Sequence, residues 1–215
     1  STTHTAMLEL EERHSGLFIS MMGLHPCSVK ENYQDELRII ENNLSRRKFA
    51  AVGEIGLDFY WDVTFKNQQY EAFNRQVEWA LHYDIPIAIH SRNATDECLE
   101  VVKNHQKGKL RGVFHCFSGT LEQAKQVIDA GFYLGIGGVL TYKNAGLDKV
   151  IKEIDPGHIL LETDAPYLTP VPFRGKRNES SYLIYILQKL ADLQETNIEV
   201  IAAITTKNAE KLFAL

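Results

Sequence analysis

The chain has 215 residues, of which 44% are hydrophobic and 24% are charged, and its formal net charge is −5. This apolar content is enough for one sizeable core, so we expect a single domain over residues 1–215. The negative balance argues against a protein that coats nucleic acid through many phosphate contacts, although metal ions and local basic side chains could still hold a few phosphates. We expect neither a membrane span, which needs roughly 20 apolar residues, nor a signal peptide.

Cysteine usage indicates a reducing compartment. Cys27, Cys98 and Cys116 are odd in number and lack the spacing of a metal site. Free thiols are typical of intracellular proteins. We therefore expect a cytoplasmic protein with no membrane association, and no obligate protein partner is evident.

Apolar runs and helical patterns alternate along the chain. The runs that predict strands are Leu17–Met22, Phe49–Val52, Ile85–Ile89, Leu110–Phe114, Phe132–Ile136 and Ile159–Leu161. Helical spacing recurs between them, at Leu37, Ile40 and Leu44 and again at Tyr70, Phe73, Val77 and Leu81. Thr120 followed by Gln123 predicts a capping box, and a last helical region runs from about Ser181 to the C-terminus.

This alternation predicts a parallel sheet covered on both faces. Either a doubly wound open sheet or a (β/α)8 barrel would satisfy it. Glycine motifs with dinucleotide-binding spacing are absent, and polar motifs follow many strands rather than one switch point, which favours the barrel. Six strands are two short of a barrel. The predicted fold class is therefore α/β, a TIM (β/α)8 barrel whose first strand–helix–strand is missing from this chain.

Four short motifs place a metal-competent side chain at the end of an apolar run. The side chains are those of Glu54, His90, His115 and Asp164. The motifs are Gly53-Glu54-Ile55-Gly56-Leu57-Asp58, Ile89-His90-Ser91-Arg92, Phe114-His115-Cys116-Phe117-Ser118-Gly119 and Glu162-Thr163-Asp164-Ala165-Pro166. Equivalent strand ends of a parallel barrel meet at one face, where barrel enzymes carry out their chemistry. One polar site is predicted there.

The alternation of strand faces refines this prediction. Glu54, His90 and His115 would point inward, which turns Cys116 toward the helices and into the core. Glu162 would share a face with Asp164, one step deeper. Two acids on one face are costly unless they are paired, so we expect Glu162 to accept hydrogen bonds behind the metal ligands.

Two histidines and two carboxylates suit Zn, Mn, Fe or a mixed pair of divalent ions. Two such ions would stabilise both the attacking and the leaving oxygen of a displacement at phosphorus. Each residue also has a structural alternative when taken alone. A buried histidine is often a satisfied core residue, and Glu54 or Asp164 could cap a helix, Asp164 lying just before Pro166.

At these residues the chain resembles the TatD family of metal-dependent deoxyribonucleases, which belongs to the amidohydrolase-like superfamily of TIM barrels. The resemblance covers nearly the whole chain and keeps the order of six motifs. They are the four above, the fourth of which extends to Tyr167-Leu168, together with Gly23-Leu24-His25-Pro26 and Arg174-Gly175-Lys176-Arg177-Asn178-Glu179. One such motif would be weak evidence, whereas six in register are specific.

The resemblance implies a catalytic centre with two divalent metal ions. Glu54 matches the carboxylate that bridges the ions, and His90 and His115 match the pair that holds one of them. Asp164 matches the ligand of the other ion, which also positions or deprotonates the attacking water. Mg or Mn would be the ions in use, and Zn is possible.

The resemblance also implies a DNA substrate, bound as single strands or at 3′ ends and cleaved by a 3′–5′ exonuclease through metal-activated water. His25 matches a histidine lining the site, although it could simply be a turn residue before Pro26. Arg92 could neutralise a phosphate or pair with a surface acid. The loop with Arg174, Lys176 and Arg177 matches one that faces nucleic acid, although a basic triplet can also be a solvated surface loop.

One departure from the family concerns its first strand, which carries a His-x-His pair that holds the metal on the Asp164 side. No such pair is present, and His4 lies before the first apolar run. We expect roughly 40 residues, about one βα unit plus a strand, to be missing before Ser1. The alternative is a natural short form with one metal ion or none.

Two other functions remain open at this point. Related two-metal barrels cleave other esters and amides, so the substrate could be a different ester or an aminoacyl-tRNA that the enzyme deacylates. A protein that kept the fold with an incomplete metal site could also act as a non-catalytic scaffold. Fold alone does not decide among these functions.

Overall fold

Strands and helices alternate along residues 1–215, all of which the computed structural model describes. The backbone divides into two units, Ser1–Gly112 and Val113–Leu215. Each unit contains parallel strands joined through helices, which confirms the predicted α/β class. The assignment of the whole chain to one domain remains a prediction.

The first unit is built on two parallel strands, β1 (Val52–Asp58) and β2 (Ile87–Arg92), in a register that sets Gly56 opposite His90. Its helices are α1 (His4–Arg13), α2 (Tyr33–Arg46), α3 (Lys66–Tyr83) and α4 (Thr95–His105). A short 3-10 turn covers Pro26–Ser28. The fully buried side chains of this unit include Ile40, Ile55, Phe73, Ile87, Ile89 and Leu99.

The helices predicted in the first unit are confirmed. The apolar stripe at Leu37, Ile40 and Leu44 is buried on α2. Phe73 and Val77 are buried on α3, whereas Tyr70 and Leu81 lie at the partly exposed margin of its apolar face. Burial of one apolar stripe on each helix is what helical spacing of apolar residues predicts.

The prediction of a strand over Leu17–Met22 is wrong. Only Met22 forms a strand bridge, to Val52, and Leu17, Phe18 and Ile19 are exposed. The backbone of residues 20–22 hydrogen-bonds residues 50–53 over too short a stretch to make a strand. An apolar run therefore became a strand only where a neighbouring backbone was available to pair with it.

The strand predicted at Phe49–Val52 lies too early in the chain. It ends where β1 begins, and β1 continues through Glu54 to Asp58. Likewise, β2 continues past the predicted end at Ile89 to Arg92. The predicted strands end where the apolar runs give way to Gly53 and His90, but the ladder is formed by backbone groups and does not depend on side-chain polarity. The polar motifs of this unit are thus parts of strands.

Two parallel strands, β4 (Phe132–Ile136) and β5 (Ile159–Leu161), organise the second unit, with Leu134 opposite Ile159. Both have their predicted bounds, and β3 (Gly112–Phe114) lies at the boundary of the units. The helices of this unit are α5 (Leu121–Asp129), α6 (Leu147–Ile151), α7 (Leu183–Leu193) and α8 (Ile198–Phe213). The last two account for the predicted C-terminal helical region.

Two polar contacts fix helices of the second unit. The predicted capping box starts α5, because Thr120 Oγ1 accepts from the Gln123 N–H at 3.2 Å while Gln123 Oε1 accepts from the Thr120 N–H at 3.0 Å. The amide of Asn208 on α8 donates to the Ile159 carbonyl at 2.8 Å, which ties α8 to the start of β5. None of the eight helices combines the length and apolar character needed to cross a membrane.

Candidate metal centre

Three metal-competent side chains of the first unit lie together. They are His25, just before the 3-10 turn, Glu54 in β1 and His90 in β2, and their ligand atoms all lie within 4.8 Å of one another. Nε2 of His25 is 3.5 Å from Oε2 of Glu54, and the rings of His25 and His90 are 4.4 Å apart. Each side chain is partly exposed, so a ligand could reach the group.

Asp58 holds the ring of His90, a contact that the sequence did not reveal. Its carboxylate is 1% exposed, and Oδ2 lies 2.9 Å from Nε2 of His90. Since an ionised carboxylate only accepts hydrogen bonds, this contact places the ring proton on Nε2 and makes Nδ1 the nitrogen suited to a metal. A carboxylate behind a histidine is the usual arrangement at metal sites, where it fixes the tautomer and the ring orientation.

Asp58 is stabilised in its charged form by the loop that follows β1. Burial favours its neutral form, but hydrogen bonds from the Trp61 N–H, His90 and the Tyr60 N–H outweigh that effect and hold the pKa of Asp58 below its usual range. Burial, reinforced by the Asp58 charge, raises the pKa of the nearby Cys27 thiol to about 11. The surroundings therefore favour the charged form of Asp58 and the neutral form of the neighbouring thiol.

Replacing Asp58 by Asn is expected to weaken Mn²⁺ binding about 10–100-fold, because the amide no longer fixes the charge and tautomer of His90. The amide oxygen can still accept from the N–H groups of Tyr60 and Trp61, so the loop should keep its conformation. Isothermal titration calorimetry measures the affinity. Asp62→Asn, on the same exposed loop, is the matched control and should bind like the wild type. Unchanged affinity in Asp58→Asn would remove this residue from the metal site.

His25 both caps a turn and lines the candidate site, the two alternatives given for it above. Its Nδ1 accepts the backbone N–H of Cys27 at 3.1 Å, so it caps the 3-10 turn that begins at Pro26. Its Nε2 faces Glu54. Because Nδ1 is an acceptor, the neutral ring carries its proton on Nε2, and this N–H is directed toward the carboxylate.

The second unit holds a row of three polar side chains. His115, the first residue after β3, has Nδ1 2.9 Å from Oε2 of Glu162 and Nε2 3.5 Å from Oδ1 of Asp164. The other oxygen of Glu162 accepts the Cys116 N–H at 2.9 Å. Glu162 thus orients His115 from behind, and Nε2 on the other side of the ring faces the Asp164 carboxylate.

The alternating direction of side chains along a strand does not continue beyond the ends of β3 and β5. Glu162 and Asp164 both face His115, as their predicted shared face requires, but β5 ends at Leu161 and Asp164 is in the left-handed region with φ +52°. The prediction that Cys116 lies in the core is wrong, because it has φ +48° and is partly exposed. The chain turns at both residues, so a period of two no longer determines the direction of the side chains.

Asn178 fixes the loop that carries Asp164. Its side chain is buried and its amide donates to the carbonyl of Thr163 at 2.6 Å and to that of Tyr167 at 2.5 Å. The Asn178 N–H donates to the carbonyl of Pro166 at 3.0 Å. Asp164 can occupy the left-handed region at low cost, because short polar side chains tolerate it. Asn178 therefore couples the end of the basic loop to the position of Asp164.

The predicted substrate-binding cations are exposed. The guanidinium of Arg174 lies 3.7 Å from the ring centre of Tyr142, and Lys176 lies 5.6 Å from that of Phe173. Arg177 is exposed on the same loop. Arg92, at the end of β2, places its guanidinium 4.1 Å from the ring centre of Tyr60. These cation–π contacts orient the charged heads, which belong to exposed side chains that solvent or an anion can reach.

Comparison with known proteins agrees with these motifs. A family model described as TatD related DNase matches residues 1–214. The chain belongs to the TatD family. A Bacillus subtilis relative named uncharacterized metal-dependent hydrolase YabD is 40% identical over 214 residues, covering 99% of this chain and 84% of the relative. A Pantoea ananatis relative named 3′-5′ ssDNA/RNA exonuclease TatD is 33% identical over 213 residues, covering 96% and 82%.

A solved structure gives the fold of this TatD-family chain. The crystal structure of YjjV, a TatD homologue from Escherichia coli K12, matches with a TM-score of 0.93 and 31% identity over 100% of this chain and 83% of YjjV. This match confirms the predicted TIM-barrel fold class. The protein is a metal-dependent hydrolase of the TatD family. Its donor set of imidazoles and carboxylates fits a divalent cation of the Mg, Mn or Zn type.

Proposed function

We propose that this TatD-family hydrolase is a deoxyribonuclease that removes nucleotides from the 3′ ends of single-stranded DNA. The observation that supports it most strongly is the pair of carboxylate–histidine contacts, Asp58 behind His90 and Glu162 behind His115, each 2.9 Å long. Buried or half-buried carboxylates in this position are typical of histidines that bind catalytic metal ions. The same residues lie in the motifs that carry the family resemblance.

The proposed cofactor is a pair of divalent metal ions, with Mg or Mn in use and Zn as a possible substitute. Glu54 would bridge the two ions, His90 and His115 would hold one, and Asp164 would be a ligand of the other. When bound, the ions would supply positive charge for the phosphate and lower the pKa of water. This assignment rests on the family resemblance and on the donor chemistry of the four side chains.

The chain's own residues supply the remaining steps. Asp164 would hold the attacking water at its carboxylate and accept a proton from it as the water attacks phosphorus. The bond from phosphorus to the 3′ oxygen of the remaining strand would break, and that oxygen would take a proton from solvent. Asp58 and Glu162 would keep His90 and His115 in the required tautomers. His25 directs an N–H toward Glu54, where it could also donate to a phosphate oxygen. Arg92, Arg174, Lys176 and Arg177 would bind phosphates through charge-assisted hydrogen bonds.

Two observations support DNA as the substrate. The Pantoea ananatis relative is named an exonuclease of single-stranded DNA and RNA. Exposed cations occur in this chain at the end of β2 and in the loop between residues 174 and 177. Contacts of this kind hold a polyanion without reading its sequence. The three free cysteines further support a cytoplasmic enzyme.

A substrate panel tests the proposal. The purified protein is incubated with a 3′-labelled single-stranded oligonucleotide, with an aminoacyl-tRNA, and with simple ester and amide substrates, each with Mg²⁺, Mn²⁺, Zn²⁺ or EDTA. We expect nucleotide release from the DNA that requires a divalent ion. Metal-dependent cleavage of the ester bond alone would replace the nuclease assignment. Bound DNA without any cleavage, together with no retained metal, would indicate a scaffold protein.

A further inference from the structure

The loop after β1 exposes two aromatic rings. Trp61 is 67% exposed and Tyr60 is 52% exposed, whereas the other tryptophan, Trp79, is 5% exposed. The two exposed rings meet edge to face, with centres 4.8 Å apart. Large aromatic side chains usually bury their area in a core or an interface. A pair left open to solvent is therefore available to stack with a ligand.

Backbone hydrogen bonds hold this aromatic pair beside the candidate metal centre. Oδ1 of Asp58 accepts the N–H groups of Tyr60 and Trp61, both at 3.0 Å. Oδ2 of the same carboxylate holds His90 at 2.9 Å. One buried side chain thus fixes both the loop and a proposed metal ligand, so the rings have a defined position relative to His90.

Positive charge lies beside the aromatic side chains of this loop. The guanidinium of Arg92 lies 4.1 Å from the Tyr60 ring centre and 5.3 Å from that of Trp61. The ammonium of Lys66 lies 4.0 Å from the ring centre of Phe59. The one acid of the loop, Asp62, is paired with Lys30 at 2.7 Å. An aromatic surface flanked by cations suits a ligand with a flat π-face and a negatively charged backbone.

We propose that Trp61 is a stacking platform for an unpaired base of a single-stranded nucleic acid, with Arg92 binding the adjacent phosphate. Trp61 is the platform rather than Tyr60 because Arg92 already lies closer to the Tyr60 ring. A base in a duplex has both faces stacked and does not fit this role, so the platform favours single strands. The inference rests on the proposed function and specifies how that site recognises its substrate.

The test is a binding measurement that does not depend on turnover. Fluorescence anisotropy gives the affinity of the Asp164→Asn protein in Mn²⁺ for oligo-dT and for an abasic strand of the same length and charge. Trp61→Ala should weaken oligo-dT binding about tenfold, because base–aromatic stacking is lost. It should leave the abasic strand unchanged. Trp61→Phe keeps a ring and should retain most of the affinity, and Val63→Ala on the same loop should change neither.

Tryptophan fluorescence provides a second readout. Oligo-dT should quench the exposed Trp61, and Trp61→Phe should abolish the quenching while Trp79 continues to emit. Equal weakening of both strands by Trp61→Ala, or no weakening, would overturn the platform, as would a protein that binds neither strand. If the wild type releases nucleotides but Trp61→Ala weakens both strands equally or neither, only the platform fails and the proposed nuclease activity stands. If stacking is seen without cleavage, the proposed nuclease activity fails and the platform remains.

Discussion

Asp164→Asn is expected to lower metal-dependent nucleotide release from single-stranded DNA by about 10²–10⁴-fold, the range that a general base contributes. The amide cannot accept the proton of the attacking water and is a weaker ligand for a cation. The replacement should not disturb the fold, because Asn tolerates the left-handed backbone that Asp164 adopts at φ +52°. Initial rates with a 3′-labelled oligonucleotide in Mn²⁺ measure the effect.

The matched control for this loss is Asp129→Asn, the same substitution at an exposed residue that ends α5. Its rate should equal that of the wild type. The thermal midpoint of Asp164→Asn should also stay close to the wild-type value, since the loop keeps its contacts to Asn178. An Asp164→Asn enzyme with full activity would show that another group accepts the proton.

Gly56→Ala is expected to destabilise the protein by about 3 kcal/mol or more, the range of a strained backbone combined with a steric clash. Gly56 has φ +137°, and a Cβ atom there would lie 2.1 Å from the backbone oxygen of His90. Neither backbone can move without opening the β1–β2 ladder, in which Gly56 and His90 are opposite residues. The free energy of unfolding from urea denaturation measures the effect.

Gly108→Ala separates the two causes of that loss. Gly108 has φ +83°, but a Cβ atom there would meet nothing within 4 Å. Its substitution should cost only about 1–2 kcal/mol, the price of a side chain in the left-handed region. Similar losses in both variants would mean that the contact with His90 is not the reason for glycine at position 56.

The fold class was predictable because alternation of elements is a strong signal in this chain. Apolar stripes at helical spacing correctly identified α2 and α3, and short apolar runs correctly bounded β4 and β5. The ends of β1 and β2 were not predictable from polarity. These strands continue through Glu54 and His90 because backbone pairing, rather than side-chain hydropathy, defines a strand.

The sequence also identified most of the residues that the structure brings together within each unit, but not those that hold them in place. The positioning roles of Asp58 and Asn178 were not predicted, because a single acid or amide has no periodic pattern. For Asp58 a signal existed: it ends the same motif as Glu54, and the contacts to His90 and to two backbone N–H groups explain its burial. The interactions of Asn178 span a turn whose geometry no spacing rule predicts.

We propose that this TatD-family protein hydrolyses DNA by attack of water at phosphorus. Mass spectrometry of an oligonucleotide incubated with the protein and Mn²⁺ in H₂¹⁸O tests it most directly. We predict a ladder shortened from the 3′ end, solvent ¹⁸O in the phosphate of each released nucleotide, and no ladder in EDTA. An intact oligonucleotide in the presence of metal-loaded protein would contradict the claim.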